Sequence, residues 1–505
     1  MTIKKVFLFL LIIKLDFAYA QFFDSLTYEV NSLAVLSFDK NAPHYLVANQ
    51  YGLVEDTSFN QLIGLGINRA FEKDKPLSFS FNATIFGRYT TKGTDLFIQQ
   101  GYLGIKYKAI SIYAGRREQT LGVHVPSLST GSLAISQNIR PFPMIQIAID
   151  SFVNLPLTNG FVKIKGTFGH AWLEKDRYIE NPYLHFKSFY LKSNVTLPVN
   201  FYVGINHFAL WGGNHPRGDT IPQNFGDYFR VILGKSSRSQ SLRGEYINAL
   251  GDHLGIVEYG ITAHAKDFDL KIYNQMPFED KTGLKRFFFN RDRLVGVDID
   301  LQKGGIPIRF LYEYLYTLHQ SGPGTPDPPE GISRKDLSYN YGHYYGGRDD
   351  YYNNALYRSG WTYMDRIIGN PLIMTEEHAS KYLDNVNSFF QYIVNNRIKA
   401  HHVGVETFSN NLSFRFLGTY SNNYGTYAGL NGGQEGWLSK EAGFEDYEYA
   451  FKQPLRQWYL MIESTASLYK NKLKGTVGFA YDTGEIYNAS GIMVALKWQY
   501  HRHKR

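Results

Sequence analysis

The chain has 505 residues with 39 Tyr, 36 Phe and no Cys, a mean hydropathy of -0.30 and a formal net charge of +8. The absence of Cys excludes disulfides, thiolate metal or Fe–S sites and a lipid anchor on an N-terminal Cys, and without a like-charge block, zinc finger or RNA-recognition motif no nucleic acid partner is expected. Aromatics at 16% beside so polar a mean do not suit a soluble globule, which needs more aliphatic core, but they suit a barrel that is apolar outside and wet inside.

The N-terminus reads as a secretory signal peptide over residues 1–20. Lys4 and Lys5 form a positive region, Val6 to Ile13 an apolar one, and Ala18-Tyr19-Ala20 before Gln21 a small-residue cleavage site. That apolar run is too short to span a bilayer as a helix, and no other run approaches the required ~18 residues. Residues 21–505 are therefore expected to be exported as one barrel domain.

Period-two alternation then runs along the chain. Leu77, Phe79, Phe81, Ala83 and Ile85 alternate with Ser78, Ser80, Asn82 and Thr84. Val162, Ile164, Phe168 and Trp172 alternate with Lys163, Lys165, Thr167 and Gly169. The same holds for Val295, Val297, Ile299 and Leu301, for Leu473, Val477, Phe479 and Tyr481, and for the terminal Ile492, Val494, Leu496, Trp498 and Tyr500. Each strand thus has an apolar or aromatic face and a small, polar or charged one. A soluble antiparallel sandwich shares that pattern. These strands, however, run nearer ~10 residues than the usual five or six. Tyr312, Tyr314 and Tyr316 gather at a strand end, where an interfacial girdle lies. Short connections (Leu197-Pro198-Val199-Asn200, Lys303-Gly304-Gly305, Ser409-Asn410-Asn411, Lys470-Asn471) fall on one side. Long ones (Arg117–Pro143, Leu318–Asn396) fall on the other. The expected class is all-β: a transmembrane antiparallel β-barrel of roughly eighteen strands between Tyr45 and Tyr500, both termini periplasmic, with long extracellular loops.

Segment 318–397 is too long to be a plain connection and too aromatic to be disordered, so it is expected to fold as a cap or plug. Ala379, Tyr382, Val386 and Phe390 give Glu376 to Phe390 a helical spacing. Within the segment, Arg348, Asp349, Asp350, Tyr351, Tyr352, Asn353 and Asn354, with Trp361 beyond, mix planar rings with carboxylates, amides and Arg. That is the chemistry of a sugar site: rings stack on pyranose C–H faces, polar groups take the hydroxyls, and Arg pairs with uronates. Asn206, His207 and Trp211 form a second cluster that would line a lumen mouth. The same residues would serve equally to hold loops against the wall. His401 and His402 adjoin on a strand, point to opposite faces and cannot share a metal. Glu313 and Arg309 lie on one polar face, where charges pair across a lumen. No GxSxG, HExxH, P-loop or dinucleotide fingerprint is present, so no catalytic residue, metal or cofactor is assigned.

Several stretches, in order, carry a resemblance: Asn41-Ala42-Pro43-His44-Tyr45 through Gly52, Ala114-Gly115-Arg116-Arg117-Glu118, Leu128-Ser129-Thr130-Gly131-Ser132-Leu133, Arg140-Pro141-Phe142-Pro143, Gly204-Ile205-Asn206-His207-Phe208, His319-Gln320-Ser321-Gly322, Gly347 to Asn354, Gly360-Trp361-Thr362-Tyr363 and Ile368-Gly369-Asn370-Pro371. The chain resembles the Wzi-type capsule-assembly family in its Bacteroidetes-like form. The resemblance implies an outer-membrane barrel that is not an enzyme but a lectin-like protein, holding exported capsular or other surface polysaccharide at the cell. Its surroundings would be outer-membrane lipid and lipopolysaccharide, and the barrel-assembly machinery would insert it. The first mature segment looks extended, unlike the helical bundle of better-known members. A diffusion channel or transporter is the alternative, and it needs an open lumen.

Overall fold

The computed structural model describes residues 26–501 except 74, 195–197, 239–244, 247, 280–282, 285–289, 303–306, 322–348, 387–390, 410, 431–447 and 471. The expected signal peptide, Arg348 and the turn at 303–305 lie outside the described residues.

The strands are β1 (Thr27–Ser37), β2 (Phe59–Arg69), β3 (Leu77–Thr90), β4 (Gly93–Tyr107), β5 (Ile110–Arg116), β6 (Pro143–Asn154), β7 (Val162–Trp172), β8 (Tyr183–Ser193), β9 (Val199–Trp211), β10 (Asp252–His264), β11 (Phe268–Phe278), β12 (Arg293–Leu301), β13 (Ile308–Tyr316), β14 (Ile398–Ser409), β15 (Leu412–Asn423), β16 (Leu455–Tyr469), β17 (Leu473–Gly484) and β18 (Ala489–His501). Each pairs antiparallel with its sequence neighbours, and β1 closes on β18 with Tyr28 opposite Tyr500, giving one 18-stranded sheet without edges. The expected count holds, but its starting point shifts. The first strand precedes Tyr45, which sits instead in a buried helical turn, α1 (His44–Val47). In β1 the inward set Glu29, Asn31, Leu33, Val35 and the outward set Tyr28, Val30, Ser32, Ala34 both mix apolar with polar residues, so alternation is weak there.

The outside explains why the chain needs hydrocarbon. Leu103, Ile105, Ile112, Ile147, Phe168, Phe189, Val203, Phe414, Ile462 and Phe479 all project from the wall exposed. Water does not solvate so continuous an apolar belt, whereas a bilayer does. Tyr314 and Tyr316 face outward near one rim, and Tyr28, Trp498 and Tyr500 near the other, where the last two stack at 6.1 Å. They form the two aromatic girdles.

Inside, glycines seat aromatic rings from the adjacent strand. Gly64 faces Phe86, Gly169 faces Phe186, Gly204 faces Tyr190 and Gly296 faces Tyr273, each as a direct cross-strand partner. A Cβ at any of the four would lie 2.1–2.4 Å from the ring it faces.

Connections on the rim that carries both ends of the described chain are short, and the long ones lie on the opposite, extracellular rim beside two tight turns at 91–92 and 485–488. Segments 117–142, 349–386 and 391–397 fold into the lumen, where Leu128, Leu133, Tyr351, Tyr352, Trp361, Ile368 and Ile393 build one core with inward wall residues. Segment 212–251 carries a second helix, α2 (Phe225–Ile232), opened by a reciprocal Asn224–Asp227 capping box. Of the helix expected over Glu376 to Phe390, the described residues form only α3 (Glu376–Ala379), capped by Thr375, and 387–390 lie outside them. The backbone turns left-handed at Asn385 (φ 53°), and Tyr382 leaves the helical path to stack on Tyr487 at 4.1 Å.

Candidate functional site

The lumen holds a plug hooked to the wall through buried polar groups. Glu313 accepts hydrogen bonds from Ser129 Oγ (2.6 Å), the Thr130 amide (2.8 Å), Thr130 Oγ1 (3.0 Å) and Tyr273 (2.5 Å). Glu258 accepts from the Val123 amide (2.8 Å), and Gln275 Oε1 from the Leu133 amide (2.8 Å). His402 meets the Leu128 carbonyl at 2.5 Å. Glu313 thus binds the plug rather than a cation across the lumen. Arg309 does form ion pairs, with Asp298 at 2.8 Å and Glu406 at 3.7 Å. A loop's own amides need partners once they leave water, and the wall supplies them.

The aromatic residues singled out as sugar contacts are plug core. Tyr351 bonds Asp292 (2.9 Å) and Ser321 (2.8 Å), Tyr352 donates to the Leu133 carbonyl (3.1 Å), and Trp361 sits edge-on to Phe208 at 5.8 Å. All three are buried, so no ring presents an open face in this conformation. Their polar neighbours are partly exposed and internally engaged. Asn353 exchanges two bonds with Ile393 (2.8 and 3.0 Å), Asn354 Oδ1 accepts from the Leu356 amide (2.9 Å), and Asp350 accepts from Asn396 (2.6 Å) and Gln391. The Asp349 amide donates to Gln320 (2.9 Å). The second cluster is divided by the period of its strand. Asn206 points into the lumen and donates to Glu258 (2.8 Å), whereas His207 and Trp211 point out of the barrel, Trp211 stacked on Tyr228 at 5.2 Å. Odd and even positions take opposite faces, so these residues do not line one lumen mouth together.

What the extracellular face does offer is a cleft of about 350 Å³ between segment 38–58, the top of β3, the end of segment 117–142 and residues 364–381. Its walls are charged. Arg88 pairs with Glu55 (2.7 Å) and Asp95 (2.8 Å), Arg366 with Glu55 (3.8 Å), and Lys381 and His378 with Asp56 (2.9 and 3.4 Å). Burial pushes the Asp56 carboxyl up, but His378 and Lys381 outweigh it and hold the group below the usual carboxylate range. Arg140 lies 3.9 Å over the Phe97 ring. Its Nη2 reaches the Ile98 carbonyl at 3.3 Å, while its buried Nε has no partner among the described residues. Burial lowers its pKa.

His44 lies at the back of the cleft, its ring 4.5 Å from that of Tyr459 and its amide 2.6 Å from Asp482. Burial, then the charges of His378 and His402, lowers its pKa to about 3, against a smaller opposing effect of Asp56. The unfolded chain therefore binds the proton first, so stability is full above about pH 6.5 and is lost as pH falls toward the folded value. Acidification from pH 7 to 4 is expected to cost about 3 kcal/mol through this residue. Thermal melts of the His44→Asn barrel should be correspondingly flatter across that range. Equal slopes in both proteins would refute the assignment.

The model of the family described as capsule assembly protein Wzi matches residues 40–391. The chain belongs to this family. The fold is similar to that of Escherichia coli Wzi, an outer membrane protein involved in group 1 capsule assembly and a carbohydrate-binding β-barrel. The TM-score is 0.56 at 11% identity, over 93% of this chain and 83% of that one. Further solved barrels matched are OccAB4 of Acinetobacter baumannii (TM-score 0.45, 8% identity, 95% and 98% covered) and OpdL of Pseudomonas aeruginosa (0.43, 9%, 95% and 99%). No curated protein matches the chain by sequence.

The matched Wzi span contains all the cleft-lining residues. Of its ionisable residues only His44 and Arg140 stood in stretches that carried the resemblance. Glu55, Asp56, Arg88, Arg366, His378 and Lys381 are scattered along the chain, and no local spacing announces them.

Proposed function

We propose that this Wzi-family barrel sits in the outer membrane and holds exported polysaccharide at its extracellular face without catalysing a reaction. The supporting observation is a lumen occupied by a hydrogen-bonded plug beneath a surface cleft whose arginines alternate with carboxylates. A plug seated in the lumen suits retention better than passage. Paired Arg and Asp/Glu groups take up sugar hydroxyls, and Arg140, Arg366 and Arg88 add bidentate donors for uronates. The contacts are proposed to be those three arginines and Lys381, with Asp349, Asp350, Asn353 and Asn354 as a secondary polar rim. Arg348 remains a candidate through its chemistry alone. Binding along a repeating polymer gains from avidity, so each contact need only be weak. Outer-membrane lipid surrounds the belt, and the barrel-assembly machinery inserts it.

The test is the double variant R140A/R366A. Losing two charged hydrogen-bonding groups at about 1.5–3 kcal/mol each should lower affinity for an acidic polysaccharide at least ~10-fold. Cells carrying the variant should shed capsule while the barrel keeps its heat-modifiable mobility. Unchanged binding on a polysaccharide array would remove the cleft from the proposal.

A further inference from the structure

The outer wall carries polar groups where hydrocarbon should be. On β8 and β9, Lys187 and His207 are direct cross-strand partners, both facing out of the barrel. They lie four residues in from Tyr183 and Trp211 at the strand ends, which at 3.3 Å per residue and a tilt of about 40° puts them about 10 Å below the rim. An ionisable group on the lipid face is costly and needs a partner. Part of the answer is α2, which folds down against this wall. Lys187 Nζ donates to the Ile232 carbonyl at the helix C-terminus, and Tyr228 packs on Trp211. The opposite face of the helix, Phe225, Phe229 and Leu233, is 52–76% exposed. An aromatic stripe at that depth belongs in a bilayer interface.

Beside the helix end a groove of about 1360 Å³ runs down the outer wall. Ile147, Phe168, Phe189, Ile205 and Leu233 line its length, and Lys187 and His207 its upper part. Its volume exceeds the ~300–1,000 Å³ of a drug-sized site, leaving room for more than one acyl chain. The hydrogen bonds fix what the upper part offers. His253 Nε2 lies 2.9 Å from the Leu250 carbonyl, which only accepts, so that nitrogen carries the hydrogen. In a neutral ring His253 Nδ1 is then an acceptor, and His207 Nε2, 3.0 Å away, must be its donor. That leaves His207 Nδ1 a bare lone pair, buried and without a partner among the described residues. The upper groove therefore presents a cation beside a hydrogen-bond acceptor, above an apolar trough, with Asp252, Glu279, Asn353 and Asn354 where it meets the plug. Arg230 and Lys235 flank the helix end and add positive charge.

We propose that this groove binds a phosphorylated, multiply acylated glycolipid of the outer leaflet. The phosphate would lie at Lys187, a headgroup hydroxyl or amide would donate to His207 Nδ1, and acyl chains would lie along Phe168, Phe189 and Ile205. The groove opens on the outside of the barrel and shares no residue with the cap cleft, although Asn353 and Asn354 of the proposed secondary polysaccharide rim reach its upper end. The full-length mature barrel is placed in phosphatidylcholine nanodiscs doped with lipid A and examined by native mass spectrometry after release into neutral detergent. The wild type should keep lipid A and lose phosphatidylcholine. Ile205→Trp, which fills the trough without touching α2, and Lys187→Met should each lower retention at least tenfold, while R140A/R366A leaves it unchanged. Retention by I205W equal to wild type, equal retention of phosphatidylcholine or of dephosphorylated lipid A, or loss of lipid A from the wild type would each overturn the proposal.

Discussion

Alanine at Glu258, Gln275 and Glu313 together opens the barrel to ions. These wall residues receive the plug through the amides of Val123, Leu133 and Thr130 and the hydroxyls of Ser129 and Thr130. Their side chains contribute little to the closure of the wall, which rests on main-chain pairing around the full circle. Truncation leaves the plug's buried donors unsatisfied at about 1–3 kcal/mol each, so the three amides alone withdraw about 3–9 kcal/mol from the seated state. That is comparable to the whole stability of an ordinary domain. In planar bilayers the wild type should show no steady conductance, and the triple variant a persistent open level. A triple variant that stays closed would mean that the apolar plug core alone keeps the lumen shut, and a conducting wild type would return the channel reading to first place.

Trp361→Ala should loosen the cap by about 3–5 kcal/mol, the usual cost of emptying a buried aromatic site. The ring is 1% exposed and lies against Phe208 of the wall. Hydrogen exchange should report it as lost protection over residues 351–374, while the strands stay protected. Trp361→Phe, which keeps most of the apolar volume, should leave polysaccharide affinity within about twofold because the ring has no open face to lose. A tenfold fall in affinity for that conservative variant, with the cap still protected, would show that the plug rearranges to bring Trp361 to the sugar.

The barrel was legible because hydrocarbon on one side and water on the other impose a two-residue period that any window of sequence can show. Leu77 to Ile85 and Val295 to Leu301 carry it plainly. Thr27–Ser37 did not, since polar and apolar residues share both of its faces. The site was far less legible. Tyr351, Tyr352 and Trp361 have the composition of a sugar platform, but the same composition fills a plug, and only burial distinguishes the two. Asn206 and His207 looked like one cluster because they adjoin, and a strand sends neighbours to opposite solvents. The charges of the cleft meet only after segments 38–58, 117–142 and 349–386 have folded together, which no local pattern records.

The four glycine seats within the wall bear on how such a sheet assembles correctly. Hairpin pairing by main-chain hydrogen bonds is nearly indifferent to sequence, so a chain entering a membrane strand by strand risks locking into a frame shifted along its neighbour. At Gly64, Gly169, Gly204 and Gly296 the correct frame is the one in which a ring finds a vacancy. A shift of two residues keeps every side chain on its proper face, yet drives Tyr190 against Tyr202 or Asn206 and Tyr273 against Leu294 or Asp298. The rings thus act as proofreading teeth during insertion, rejecting the errors that hydrophobicity alone would let through.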